Sequence, residues 1–141
     1  PAFAEVPMNI ICFTSSPDLL HRLSIGVFAH LPEDDRIEIH RNIKSLNLRM
    51  RKDIDWNSII ILCPVTMEQL QKVIDQREYY RRTRIILVLP VSLNEMYGGI
   101  RLISPSITLY ENQDLEAICE VVEKIRGNIR HKVVVKNHKW N

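Results

Sequence analysis

Five short apolar runs punctuate this chain, and each is followed by a longer segment of helical period. They are "NIICF" (Asn9 to Phe13), "RIEIH" (Arg36 to His40), "SIIILC" (Ser58 to Cys63), "RIILVLPV" (Arg84 to Val91) and "SITLY" (Ser106 to Tyr110). Runs of this length that are apolar on both faces can satisfy their backbone only in a sheet covered on both sides. Strands alternating with helices in sequence give a parallel sheet with helices on each face. The chain therefore reads as a three-layer α/β sandwich. "RIEIH" alone alternates apolar and polar residues, which places it at an edge.

The intervening segments carry helix signals. Ser16 and Pro17 supply an N-cap and a first helical residue, with Asp18 in the first turn. Leu20, Leu23, Val27, Phe28 and Leu31 then form a core face, and Pro32 follows the end. Ile43, Leu46, Met50 and Ile54 step helically up to "DIDW". "TMEQ", Thr66 to Gln69, reads as a capping box in which each side chain satisfies the other's backbone donor. Leu70, Val73 and Ile74 follow it on one face, and this helix runs to about Tyr80. "SLNEMYGGIRLI" is a poor helix, because Gly98 and Gly99 each cost roughly 1 kcal/mol relative to alanine, so an irregular or mobile segment is expected there. Asn112 is read as the cap of the last helix, with a stripe of Leu115, Ile118, Cys119, Val122, Ile125 and Ile129. "HKVVVKNHKWN" after it is a further strand or a basic tail.

A chain of 141 residues with 45% hydrophobic content holds one domain with a full core. Residues 8–131 form that domain, 1–7 an arm or an added remnant, and 132–141 a basic tail. No apolar run nears the roughly 20 residues that cross a bilayer, and the first residues lack the pattern of a secretory signal, so a cytoplasmic protein is expected. Cys12, Cys63 and Cys119 are odd in number and far apart, which excludes a disulfide framework. The histidines His21, His30, His40, His131 and His138 form no pair at metal-ligand spacing, so no zinc site and no cofactor is expected. Residues 124–141 carry Lys124, Arg126, Arg130, Lys132, Lys136 and Lys139 and no acid, leaving a mildly acidic body.

Five strand and helix units ended by "FTSSPDLL", "LCPVT", "LPVS" and "YENQDL" resemble the receiver domain of two-component response regulators, from Asn9 to about His131. The resemblance rests on rhythm and lengths. It implies strand order 2-1-3-4-5, as in flavodoxin-like folds, and a bacterial signalling setting. A working receiver phosphorylates an aspartate at the end of strand three, binds magnesium through acids after strand one, and neutralises the acyl phosphate with a lysine after strand five. Here the acid pair falls on Thr14 and Ser15, the phosphoacceptor on Cys63, the small hydroxyl on Leu89 or Pro90, and the lysine on Glu111 or Asn112. The expectation is a pseudo-receiver: a non-catalytic regulatory module that acts by binding a protein partner or a second copy. The resemblance assigns that binding to the face of helix four, strand five and helix five, including Tyr97, Gly98, Gly99, Arg101, Tyr110, Asp114 and the outward residues as far as Arg126.

Two other readings use local features. The Thr14 to Asp18 loop places hydroxyls at a helix N-terminus, where a flavin or nucleotide phosphate could bind, but it has no glycine, and Pro17 removes a donor. Arg77, Arg81, Arg82 and Arg84 surround Tyr79 and Tyr80, and with the basic tail they could contact nucleic acid. Arginines at a helix C-terminus also complement its dipole, and that simpler account is preferred. Cys12 and Cys119 read as buried apolar groups, whereas Cys63, beside Pro64, is a candidate reactive thiol. No Ser-His-Asp constellation can be read from spacing alone.

Overall fold

The computed structural model describes residues 6–93 and 97–138, with side chains except at 97, 98 and 130–138. Its strands are β1 Asn9–Thr14, β2 Arg36–His40, β3 Ser58–Cys63, β4 Arg84–Leu89 and β5 Ile107–Tyr110. The helices between and after them are α1 Pro17–Gly26, α2 Ile43–Met50, α3 Met67–Asp75, α4 Tyr97–Ile103 and α5 Ala117–His138. All neighbouring strands pair in parallel, in the order β2-β1-β3-β4-β5. The α/β sandwich expected from the five runs is the observed architecture, with β2 and β5 at the edges.

Alternation along each strand divides the apolar side chains between two faces. Ile10, Cys12, Ile59, Ile61, Cys63, Ile86 and Val88 pack with Leu19 and Leu23 of α1 and with Leu115, Ile118, Val122, Ile125 and Ile129 around and along α5. Ile11, Phe13, Ile60, Leu62, Ile85, Leu87 and Leu89 pack on the other face with Leu46 and Met50 of α2, Leu70, Val73 and Ile74 of α3, and Ile103 of α4. The central strand β3 is buried at all of its positions, as a run apolar on both faces requires.

Several local expectations shift. In α1 the buried residues are Leu19 and Leu23 while Leu20 is only half-buried, and the helix ends at Gly26 before a 3-10 turn at Phe28–His30. The third helix stops at Asp75, and a separate 3-10 turn covers Arg77–Tyr80. The poor helix after β4 resolves into a 3-10 turn at Val91–Leu93 and the short α4. Asn112 does not cap α5. The Gln113 side chain instead accepts from the Tyr110 amide at 2.8 Å, and Asp114 accepts from the Glu116 amide at 3.0 Å, so the helix begins only at Ala117. Helix α5 continues through residues 132–138, where a strand or a tail was expected.

Residues 6 and 7 belong to the fold. Val6 packs against the α1/α5 core, and its carbonyl accepts from Arg126 at 2.6 Å, while the Pro7 carbonyl accepts from Asn57 at 2.6 Å. Arg126 is itself buried, with a bidentate pair to Asp35 at 2.7 and 2.5 Å. It is therefore neither an outward residue of the expected interaction face nor a free charge of a basic tail. No described helix is long and apolar enough to cross a membrane.

Candidate functional site

In a sheet of this order the crevice lies beyond the strand ends, between β1 and β3, where the direction of growth reverses. The register sets Thr14 beside Cys63 at that point, so the positions expected from sequence to form the mouth do meet there. The mouth is occupied by the chain's own contacts. Thr14 is buried, and its hydroxyl oxygen accepts from the Ser16 amide at 3.1 Å. Ser16 in turn caps α1, accepting from the Leu19 amide at 3.1 Å. Pro17 has no N–H, so the loop has turned two of its amide donors inward onto its own hydroxyls. That is the opposite of what a phosphate cradle requires.

Ser15 is bridged from across the crevice. The Gln69 side chain donates its Nε2–H to Ser15 Oγ at 2.9 Å and accepts from the Val65 amide at 2.9 Å. Thr66 accepts from the Gln69 amide at 3.1 Å, so half of the expected capping box forms, and the glutamine half reaches back to Val65 rather than to Thr66. Two arginines flank the mouth, each donating to backbone carbonyls. Arg41 reaches the Thr14 carbonyl at 3.1 Å and the Ser15 carbonyl at 3.5 Å, and Arg22 reaches the Glu111 carbonyl at 2.7 Å. Neither Gln69 nor these arginines was identified as a mouth residue from sequence. Their partners across the mouth lie 26 to 89 residues away, and only the fold brings them together.

Cys63 is fully buried on the α1/α5 face rather than open at the crevice. A hydrogen bond with the Cys12 thiol, together with burial, pushes the Cys63 thiol well above its ordinary range. A thiol held neutral is a poor nucleophile and a poor ligand, which removes the reactive-thiol reading. Cys119 is only half-buried. Its sulfur lies 3.7 Å from the Gly26 and Val27 carbonyls at the α1 contact, and burial followed by the charges of Glu116 and Glu123 raises its pKa. Leu89 and Pro90, at the end of β4, are buried. Glu111 donates its amide to the Leu89 carbonyl at 2.8 Å, closing β5 onto β4.

The expected interaction face is only partly assembled. Arg101 is exposed on α4, and Tyr110 is half-buried against the α2/α3/α4 core. The Tyr97 side chain and the surroundings of Gly98 lie outside what the structure describes. Gly99 faces inward: a Cβ there would lie 2.6 Å from Ile74 Cδ1 of α3. Asp114 lies beside α1, lining a depression with His21, Arg22 and Ile25. Of the arginines considered for nucleic acid, Arg81 pairs with Glu78 at 3.4 Å and Arg77 donates to the Ile74 carbonyl at 3.1 Å.

No family model and no curated protein matches the chain. Solved structures do. The signal receiver domain of an HD domain-containing protein from Pseudomonas fluorescens Pf-5 superposes with a TM-score of 0.67 at 17% identity, covering 92% of this chain and 94% of that one. A response regulator from Colwellia psychrerythraea gives 0.67 at 11% identity, with 87% and 99% covered. The chemotaxis response regulator CheY4 of Vibrio cholerae gives 0.62 at 13% identity, with 85% and 99% covered. At these identities the likeness concerns architecture: the chain has a receiver-like fold, with the five-stranded order that the resemblance implied.

Proposed function

We propose that this chain is a non-catalytic regulatory module, a receiver-like domain that works by binding a protein partner and is not phosphorylated on an aspartate. The observation that carries this reading is the Gln69 bridge to Ser15 across the β1/β3 crevice, next to a fully buried Cys63. Acyl phosphate chemistry needs an open carboxylate, a cation held by further carboxylates, and a lysine. The corresponding positions here hold Thr14, Ser15, Cys63 and Glu111, and three of them are engaged by neighbours: Thr14, Ser15 and Cys63. The loop that would carry a flavin or nucleotide phosphate is closed on itself, so no observation favours that second reading.

The working face in this reading is formed by α4, β5 and the start of α5. Arg101 and Tyr110 are its described contributors and Tyr97 its remaining aromatic; Gly99 supports it from behind by packing on Ile74. The reading is tested by intact-mass measurement after incubation with acetyl phosphate and magnesium. The bare chain mass is expected, and a stoichiometric phosphoryl adduct overturns the proposal. For the face, Arg101→Ala with Tyr110→Ala is expected to weaken partner or self-association at least about tenfold, since central aromatic and arginine contacts carry most interface energy.

A further inference from the structure

Two segments of this chain carry opposite and unmixed charge. Residues 41–52 hold Arg41, Lys44, Arg49, Arg51 and Lys52 and no acid, while residues 111–123 hold Glu111, Asp114, Glu116, Glu120 and Glu123 and no base. The first segment is α2 with its flanks, which packs on one face of the sheet. The second leads into and forms the first part of α5, which packs on the other. With the sheet between them, they cannot meet within one molecule.

Part of each set is engaged internally. Arg49 pairs with Glu38 at 2.9 Å, Arg41 donates to the Thr14 carbonyl, and Glu123 pairs with Arg126 at 3.1 Å. Lys44, Arg51 and Lys52, and across the molecule Glu116 and Glu120, have no ion-pair partner among the described residues, Arg51 lying over the Tyr79 ring at 5.5 Å. The outward stripe of α2 and its C-terminal flank is Lys44, Leu48 and Arg51, with Leu48 54% exposed at its centre. The outward acidic stripe is Glu116, just before α5, with Glu120 and Glu123 in its first turns, all exposed, beside a groove of about 530 Å³ lined by Glu120, Val121, Glu123 and Lys124. Each stripe runs over seven residue steps, about 10 Å at the rise of a helix. Laid antiparallel, the two helices bring Lys44 and Arg51 against carboxylates and Leu48 against the groove beside Val121.

We propose that α2 of one copy docks on the acidic stripe of α5 of a second copy, head to tail. The two surfaces differ, so the contact is heterologous, and each copy keeps a free α2 at one end and a free acidic stripe at the other. Association therefore continues past the dimer as concentration rises. Solvent-exposed ion pairs are individually weak, so assembly is weak and strongly salt-dependent. It shares the start of α5 with the face proposed above but uses neither Arg101 nor Tyr110, so substitution at Tyr110 tells the two apart.

The test is sedimentation velocity of the whole chain from about 10 μM to about 1 mM, at roughly 20 mM and roughly 500 mM salt, where screening differs severalfold. The expected result is an average mass that climbs past the dimer with concentration at low salt and returns to the monomer value at high salt. Lys44→Gln with Arg51→Gln, and separately Glu116→Gln with Glu120→Gln, are each expected to abolish the rise. An equimolar mixture of the two variants is expected to associate again and stop at the dimer, since each mixed pair keeps one complementary contact. That recovery also shows both variants to be folded. A chain that stays monomeric at low salt, variants that associate like the parent, a mixture that does not recover, or association lost instead with Tyr110→Ala would each overturn the proposal.

Discussion

At the scale of single residues, the crevice is closed by packing as well as by missing carboxylates, so restoring one group should not reopen it. Cys63 is fully buried against Cys12, and an ionised carboxylate there would lie in an apolar core with no cation beside it. Cys63→Asp is expected to lower stability by about 3 kcal/mol or more, read as a drop in urea midpoint, and to gain no phosphoryl group from acetyl phosphate. Glu38 gives a residue-scale pH effect. Burial raises its pKa, but hydrogen bonds to His40 at 2.6 Å and Arg49 at 3.0 Å, with their charges, outweigh it and hold the carboxyl below its ordinary value of 4.5. A carboxylate depressed in the folded state adds stability that is complete above its unfolded pKa and is lost as pH falls through the folded one. The difference in urea midpoint between the parent and Glu38→Gln should therefore narrow on acidification from pH about 4.5 downward. With the Glu38 side chain 42% exposed, the effect is small.

At the scale of elements, the strands were the most legible part of the sequence. β2 and β3 occupy the residues read from their apolar patterns, since burial on one or both faces writes a pattern of period two or an unbroken run. Helix ends were less legible. Ser16, Asn42 and Thr66 each accept from the amide three residues on, which local sequence can encode. The start of α5 is set by the Gln113 side chain folding back on Tyr110, which competes with Asn112 as a cap and wins. The glycines of α4 were read as weakness, but Gly99 is a contact: its Cα face lies against the buried Ile74, and the inter-helix spacing depends on the missing methyl group. Gly99→Ala gains roughly 1 kcal/mol of helix propensity but must displace a packed side chain, costing about 1 to 3 kcal/mol. A net loss in melting temperature is expected. In an Ile74→Val background, which removes the obstructing Cδ1, the same substitution should become neutral or stabilising. Equal effects in both backgrounds would show that the close approach carries no energy.

At the scale of the whole molecule, what the sequence concealed is what joins distant segments. Rhythm defines five units, and the family resemblance their order, yet nothing near Arg126 in sequence identifies its partner, since Asp35 lies 91 residues away and Val6 lies 120. In the fold this guanidinium ties the arm before β1, the approach to β2 and the middle of α5 into one cluster. Asp35 also accepts from the Met8 amide at 2.9 Å, and Glu123 brackets the far side of Arg126. The hydrogen bond to Asp35 leads the interactions that raise the Arg126 pKa, against burial, so the guanidinium stays charged. Breaking a buried pair by removing one partner leaves an uncompensated charge and costs about 3 to 5 kcal/mol, whereas replacing both with apolar groups can be nearly neutral. Arg126→Met is therefore expected to lose about that much stability by urea denaturation, and Asp35→Leu a similar amount. The double variant should recover a large part of the sum, giving a coupling above about 1 kcal/mol. Strict additivity would mean that Arg126 acts through its carbonyl bond to Val6 and its aliphatic packing, and that the charge pair is incidental to how α5 is held on the sheet.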